Sequence, residues 1–126
     1  ELIDVALSLH QTSEVYWYRG YVNSSLGNTR QAIKDFTNAI QLDRNWGDNS
    51  VNLSLAYNNR AYAKSNLNED DGAISDFTQA LKYKSNSSSS LNGRCLARTA
   101  RLKAKNFLDS YMKVLLNENY LITGRV

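Results

Sequence analysis

The sequence predicts an all-α protein made of antiparallel helix pairs standing side by side. Three observations predict it. One stretch occurs twice: Tyr57–Leu81 (YNNRAYAKSNLNEDDGAISDFTQAL), shifted back by 41 residues, lands on Tyr16–Ile40 (YWYRGYVNSSLGNTRQAIKDFTNAI). Of the 25 aligned positions 11 are identical, among them Tyr16/Tyr57, Arg19/Arg60, Ala32/Ala73, Asp35/Asp76, Phe36/Phe77 and Ala39/Ala80. Such a period marks a stacked repeat of one small structural unit. Each copy holds two apolar runs at helical spacing, parted by a short polar turn. Finally, the 126 residues include no proline, the residue that interrupts helix interiors.

The totals fit one domain spanning residues 1–126. A chain of this length with 42% apolar residues buries a single continuous core. The net charge of +3 is too mild to point to a nucleic acid or a membrane. No apolar run approaches the ~18 residues of a membrane span. The start, ELIDVALSLH, is acidic and lacks the basic region and cleavage site of a signal peptide. It also lacks an initiator methionine, so a fragment or a processed form is expected. The single cysteine, Cys95, excludes an intramolecular disulfide framework and suits a reducing compartment, so a cytoplasmic protein is expected.

Residues 1–12 place Leu2, Ile3, Val5, Ala6 and Leu9 at helical spacing, ending in a Gln11-Thr12-Ser13 cap and turn. They read as the remnant of an earlier unit. The first full unit, 13–46, has Tyr16, Gly20, Asn23 and Leu26 on one stripe, a stop at Gly27-Asn28, and a second helix whose apolar face is Ala32, Ile33, Phe36, Ala39 and Ile40. Lys34 and Asp35 are placed on the opposite, outward side. Residues 47–53 are an insertion. Trp46 is expected to plug the junction, and Asp48 or Ser50 to cap a lengthened helix. The second unit, 54–87, repeats the pattern with Tyr57, Ala61 and Leu67, an acidic turn at 68–72, and then Ala73, Ile74, Phe77, Ala80 and Leu81.

Lys84–Gly93 (KSNSSSSLNG) reads as polar and weakly helical. Adding 34 to the second unit then gives a degraded third copy over 88–121. Asn58, Arg60 and Ala63 recur as Asn92, Arg94 and Ala97; Ala61 becomes Cys95, Phe77 becomes Tyr111, Ala80 becomes Val114 and Leu81 stays leucine at Leu115. The expected turn at Arg101–Lys105 has no Gly, Asn or Asp. Two readings stand, a third helix pair or one long closing helix from about Asn92 to Asn117. The preserved spacing favours the pair.

The pattern Tyr16, Arg19-Gly20, Leu26-Gly27, Ala32-Ile33, Phe36, Ala39, and its copy Tyr57, Arg60-Ala61, Leu67, Ala73-Ile74, Phe77, Ala80, resembles the tetratricopeptide repeat. It departs from the family in having Arg19, Arg60 and Arg94 where leucine is usual, Asn23 and Lys64 where tyrosine is usual, no closing proline, and a 41-residue first spacing in place of 34. The resemblance implies an α-α superhelix, a right-handed solenoid whose leading helices line a concave groove that takes a peptide or helix of a partner. It implies a non-enzymatic scaffold. Mapped onto this chain, the groove would show Glu14, Trp17, Tyr18, Tyr21, Ser24 and Ser25 from the first unit. The second would add Leu55, Asn58, Asn59, Tyr62, Ser65 and Asn66, and the third Asn92, Leu96, Thr99 and Ala100.

Trp17 and Tyr21 are four apart and share a helix face, and Tyr62 repeats Tyr21. Aromatic surface with a polar tip suits a binding face, while Asn58, Asn59 and Asn66 can hydrogen-bond a bound backbone. The competing reading makes Trp17 and Tyr21 core residues under the N-terminal helix. One subclass of the family clamps a partner's C-terminal carboxylate with Lys and Asn on its first unit and Lys and Arg on its third. Here Trp17, Tyr21, Asn92 and Leu96 stand at those places and only Asn59 of the second unit survives, which argues against that clamp.

Arg94, Arg98, Arg101 and Lys105 form a basic stripe on which an anionic partner, a nucleic acid or lipid surface, could dock; a solvated helix face is the favoured reading, since no aromatic is interleaved for base stacking. Glu69, Asp70 and Asp71 are adjacent and lack metal-ligand spacing. His10 is the only histidine and has no triad partner in view. Cys95 is expected to be buried and inert. There is no phosphate-cradling glycine loop, and the Asn-X-Ser/Thr triplets at Asn23, Asn52 and Asn86 are common in so Asn- and Ser-rich a chain. No cofactor and no metal are expected. The expected partner is a protein segment; an anionic-surface binder, or a regulatory piece of a larger enzyme, are the alternatives.

Overall fold

The structure, a computed structural model, describes residues 2–42 and 50–124, without the side chains of residues 50, 51 and 119–123. The helices are α1 Leu2–Leu9, α2 Ser13–Ser25, α3 Thr29–Leu42, α4 Ser50–Asn66, α5 Asp70–Tyr83 and α6 Ser88–Thr123, with no strand among the described residues. Their ends follow local chemistry. Thr12 sits in extended backbone before α2, and its hydroxyl oxygen accepts from the Val15 N–H at 3.3 Å. The chain leaves α2 through Gly27 at φ 81° and leaves α4 through Asn68 at φ 59°. Those two positions are one repeat apart, and Gly and Asn are the residues that tolerate a left-handed turn. The same closing bond follows each, Asn28 N–H to Asn23 C=O at 2.8 Å and Glu69 N–H to Lys64 C=O at 2.9 Å. Asp70 and Asp71 then complement the positive start of α5.

Neighbours in sequence are neighbours in space: α1 on α2, α2 on α3, α3 on α4, α4 on α5 and α5 on α6. This is a superhelix of helix pairs. Its core is small residues around two rings: Ala32, Phe36 and Ala39 in α3, and Ala61, Ala73, Phe77 and Ala80 in α4 and α5, all 1% exposed or less. Burying each phenylalanine contributes about 2–3 kcal/mol. Room for Phe36 comes from Gly20, where an added Cβ would stand 2.8 Å from Cε1 of the ring.

The C-terminal third differs from the expectation of a third helix pair. α6 runs unbroken for 36 residues. Arg101-Leu102-Lys103-Ala104-Lys105 is made of strong helix formers, with nothing able to take the left-handed turn that Gly27 and Asn68 supply. The Lys84–Gly93 stretch is also more helical than expected. Only residues 84–87 lie between helices, and the Ser87 hydroxyl accepts from the Ser90 N–H at 3.3 Å, so the serines start α6 instead of loosening it. Cys95, expected to be buried, is exposed, because no second helix of a third pair covers it. Residues 50–53 of the 47–53 insertion are already helical. Arg44, Trp46 and Asp48 lie outside the described residues.

Candidate peptide-binding groove

The surface between α2 and α4 carries two hollows. Glu14, Trp17 and Tyr18 of α2 face Asn52 and Leu55 of α4 around one of about 170 Å³. Tyr21, Ser24 and Ser25 of α2, with Phe36 below and Asn59 and Tyr62 of α4 opposite, line the other, of about 160 Å³. The divide between them is aromatic. Trp17 stacks on Tyr21 with ring centroids 5.8 Å apart and meets Tyr18 edge-on at 5.1 Å. Tyr18, Tyr21 and Leu55 are exposed and Trp17 is half-buried. The Trp17 indole N–H is buried with no hydrogen-bond partner among the described residues.

The two adjacent asparagines part company, since successive helix residues point about 100° apart. Asn59 faces the second hollow. Asn58 is buried, and its carbonyl oxygen accepts from the Ser90 hydroxyl at 2.8 Å while its amide donates to the Ser89 hydroxyl at 3.3 Å. It ties α4 to α6. Tyr62 does both jobs: it borders the hollow, its hydroxyl donates to the Ser89 carbonyl at 2.9 Å, and its ring meets Phe77 edge-on at 4.9 Å. Asn66 is exposed at the end of α4. On α6, Arg94 donates to the Thr78 hydroxyl at 3.5 Å and Arg101 pairs with Asp71 at 3.0 Å, while Arg98 and Lys105 are exposed.

What orients these helices is a clasp that the sequence reading misplaced. Asp35 does not point outward; it is 0% exposed. Arg19 grips it through Nε at 3.1 Å and Nη2 at 2.7 Å, with Asn23 donating at 2.9 Å and Gln31 at 3.1 Å. Asp76 repeats this, held by Arg60 at 2.8 Å twice and by Lys64 at 2.9 Å. A fork of guanidinium donors on a carboxylate is strong and directional, which permits burial of a charge on a face otherwise made of alanine and phenylalanine. The hydrogen bond to Asp35 also holds the Arg19 guanidinium above its ordinary pKa. Each arginine reaches back one helix as well: Arg19 to Asp4 at 3.5 Å, Arg60 to Thr37 at 3.1 Å and Arg94 to Thr78. The signal was present, because both arginines and both aspartates are repeated, 16 residues apart.

Two segments, residues 13–45 and 55–87, match the model of the tetratricopeptide repeat, and together they cover just over half of the chain. The chain belongs to the tetratricopeptide-repeat family. Repeats of this family generally mediate protein–protein interaction and are typically non-enzymatic scaffolds. No curated protein matches the chain. Two of the three arginines that depart from the usual pattern of a tetratricopeptide repeat, Arg19 and Arg60, are the ones that hold Asp35 and Asp76. Among the described residues no helix is long and apolar enough to cross a membrane, and no cluster of His, Cys, Asp and Glu is placed to hold a metal.

Proposed function

We propose that this tetratricopeptide-repeat protein binds a segment of a partner protein along the surface between α2 and α4. The observation that carries the proposal is the stacked Trp17–Tyr21 pair, open to solvent on its tyrosine side and flanked by a hollow at either end. An apolar side chain of the partner in each hollow would straddle that stack. Aromatic anchors in such places commonly dominate binding energy. Asn59 and Ser24 provide hydrogen-bonding groups for a bound backbone. Asn58 drops out of the binding set, because its amide is already committed to Ser89 and Ser90. Tyr62 serves as a wall, fixed by its bond to Ser89.

The test is affinity capture with the whole chain, mapping of the captured segment, and titration of that segment into variants. Tyr18→Ala and Tyr21→Ala are the informative substitutions, since both residues are exposed and neither hydroxyl makes a hydrogen bond among the described residues. Each is expected to weaken binding by about 5–30-fold, the usual effect of losing an aromatic anchor, with unchanged melting. Parent-like affinity in both variants refutes the groove. Affinity that collapses steeply with salt would instead assign binding to Arg98 and Lys105 on α6.

A further inference from the structure

Of the two hollows between α2 and α4, only the one toward the start of α2 carries a charge. Every residue of α2 and α4 that lines the second hollow stands seven after one that lines the first. Seven helical residues, about 10.5 Å, therefore separate the two. Along that step Glu14 of the first hollow gives way to Tyr21, and the walls of the second are uncharged.

Glu14 is also the one charged side chain of α2 and α4 left over from the clasps. Arg19 is tied to Asp35, and Arg60 and Lys64 to Asp76. Glu14 is exposed and makes no ion pair among the described residues. Residues three and four apart share a helix face, so its carboxylate lies on the same side of α2 as the rings of Trp17 and Tyr18. Those rings stand 5.1 Å apart at 74°, and Tyr18 is 57% exposed. Asn52 and Leu55 complete the hollow with an amide and an apolar wall.

Elsewhere the protein itself shows what such a set of groups holds. Arg19 lies over the Tyr16 ring at 5.8 Å while gripping Asp35, and Arg60 lies over the Tyr57 ring at 5.4 Å while gripping Asp76. Both times a cation meets a tyrosine ring and a carboxylate together. The negative face of an aromatic ring attracts a cation within about 6 Å, and a carboxylate strengthens the hold. Trp17, Tyr18 and Glu14 present the same two kinds of group to solvent, and no Lys or Arg among the described residues lines their hollow.

We infer that this end of the groove selects a basic side chain of the partner, lysine or arginine, with its stem against Trp17 and Tyr18 and its cation on Glu14. The inference rests on the groove reading above, and it makes the apolar part that enters the first hollow a lysine or arginine stem. Such stems pack on apolar surface while the charged head stays at the rim. A partner carboxylate at the same place would face Glu14 and be repelled. The bound segment thus has a direction, with a basic residue by the start of α2 and an uncharged one about 10.5 Å further along.

Peptides selected on the whole chain from a random phage-displayed library are the probe, titrated by fluorescence anisotropy into the parent, Glu14→Gln, Tyr18→Ala and Tyr21→Ala. The expected peptides carry a Lys or Arg whose replacement by norleucine or citrulline weakens binding to the parent about 3–30-fold, through loss of the ring contact and the ion pair. In Glu14→Gln the same replacement should cost only about 2–5-fold, the ring contact alone. Equal penalties in the two proteins overturn the inference and leave Glu14 as a complement to the positive start of α2. Peptides that need Tyr18 and Tyr21 but carry no basic residue overturn it too, and leave the groove standing. Peptides indifferent to both tyrosine variants overturn the groove itself, and the inference with it.

Discussion

Replacing Gly93 by alanine should destabilise the protein, against the usual sign for such a change. Gly93 lies inside α6, where the seam with α5 closes over Phe77. A Cβ there would stand against Cζ and Cε1 of the ring, well inside van der Waals contact, and 3.0 Å from Cε2. Phe77 is 0% exposed and hemmed in by Ala61, Ala73 and Ala97, so it has nowhere to retreat. Forcing a methyl into a filled core costs about 1–3 kcal/mol. Alanine in place of glycine within a helix returns up to about 1 kcal/mol. The net expectation is a loss of about 0–3 kcal/mol. Gly72, in the first turn of α5, is the control: its Cβ would meet only the flexible Lys64 chain, 3.1 Å away at Cδ. Gly72→Ala should therefore be neutral or stabilising by up to about 1 kcal/mol. Thermal melts followed by circular dichroism resolve the difference, since 1 kcal/mol moves the midpoint of a chain this size by about 4 °C. If Gly93→Ala melts at or above Gly72→Ala, the close seam between α5 and α6 does not exist, and the placement of α6 is wrong.

Asp35→Ala removes a carboxylate that is fully buried and leaves Arg19 facing an apolar seam; a loss of about 3–5 kcal/mol in urea titrations is expected, and an effect under about 1 kcal/mol would mean that Asp35 faces water. Asn58→Ala should cost about 1–3 kcal/mol through the unpaired Ser90 hydroxyl while leaving partner affinity unchanged; the reverse outcome would return Asn58 to the groove. The Tyr57 phenol is held above its ordinary value of 10.0 by burial first, then by Tyr83 and Asp76, with Arg60 opposing. The folded state thus favours the protonated phenol. Its contribution is complete below about pH 10 and is lost as pH climbs through the folded value. Denaturation midpoints of Tyr57→Phe should fall less between neutral and strongly alkaline pH than those of the parent, and identical slopes would contradict the burial of Tyr57.

The fold was legible wherever the signal is local and repeated. The 41-residue period, the apolar faces centred on Phe36 and Phe77, and the turns at Gly27 and Asn68 need only neighbours in sequence. The candidate groove was legible in part. Trp17, Tyr18, Tyr21, Asn59 and Tyr62 border the two hollows between α2 and α4, because the family spacing puts them on the leading helices. Asn58 was misplaced, since its neighbour in space is Ser90, 32 residues away. Cys95 was misplaced because its burial required a partner helix that the straight α6 never returns.

By itself the sequence determined the helix pairs, their number of full copies and their small-residue contacts, because helix periodicity and left-handed turn residues act over four or five positions. Only the tertiary structure decided that Asp35 and Asp76 lie inside. An aspartate on an amphipathic helix looks like a surface residue until an arginine from the facing helix arrives to neutralise it, and that meeting depends on the packing of two helices. The same holds at the end of the chain. Whether 88–123 bends or runs straight is a contest between helix propensity at Arg101–Lys105 and the burial that a hairpin would gain, and with Phe107 where Ala32 and Ala73 stand in the complete units, the hairpin has less room to close.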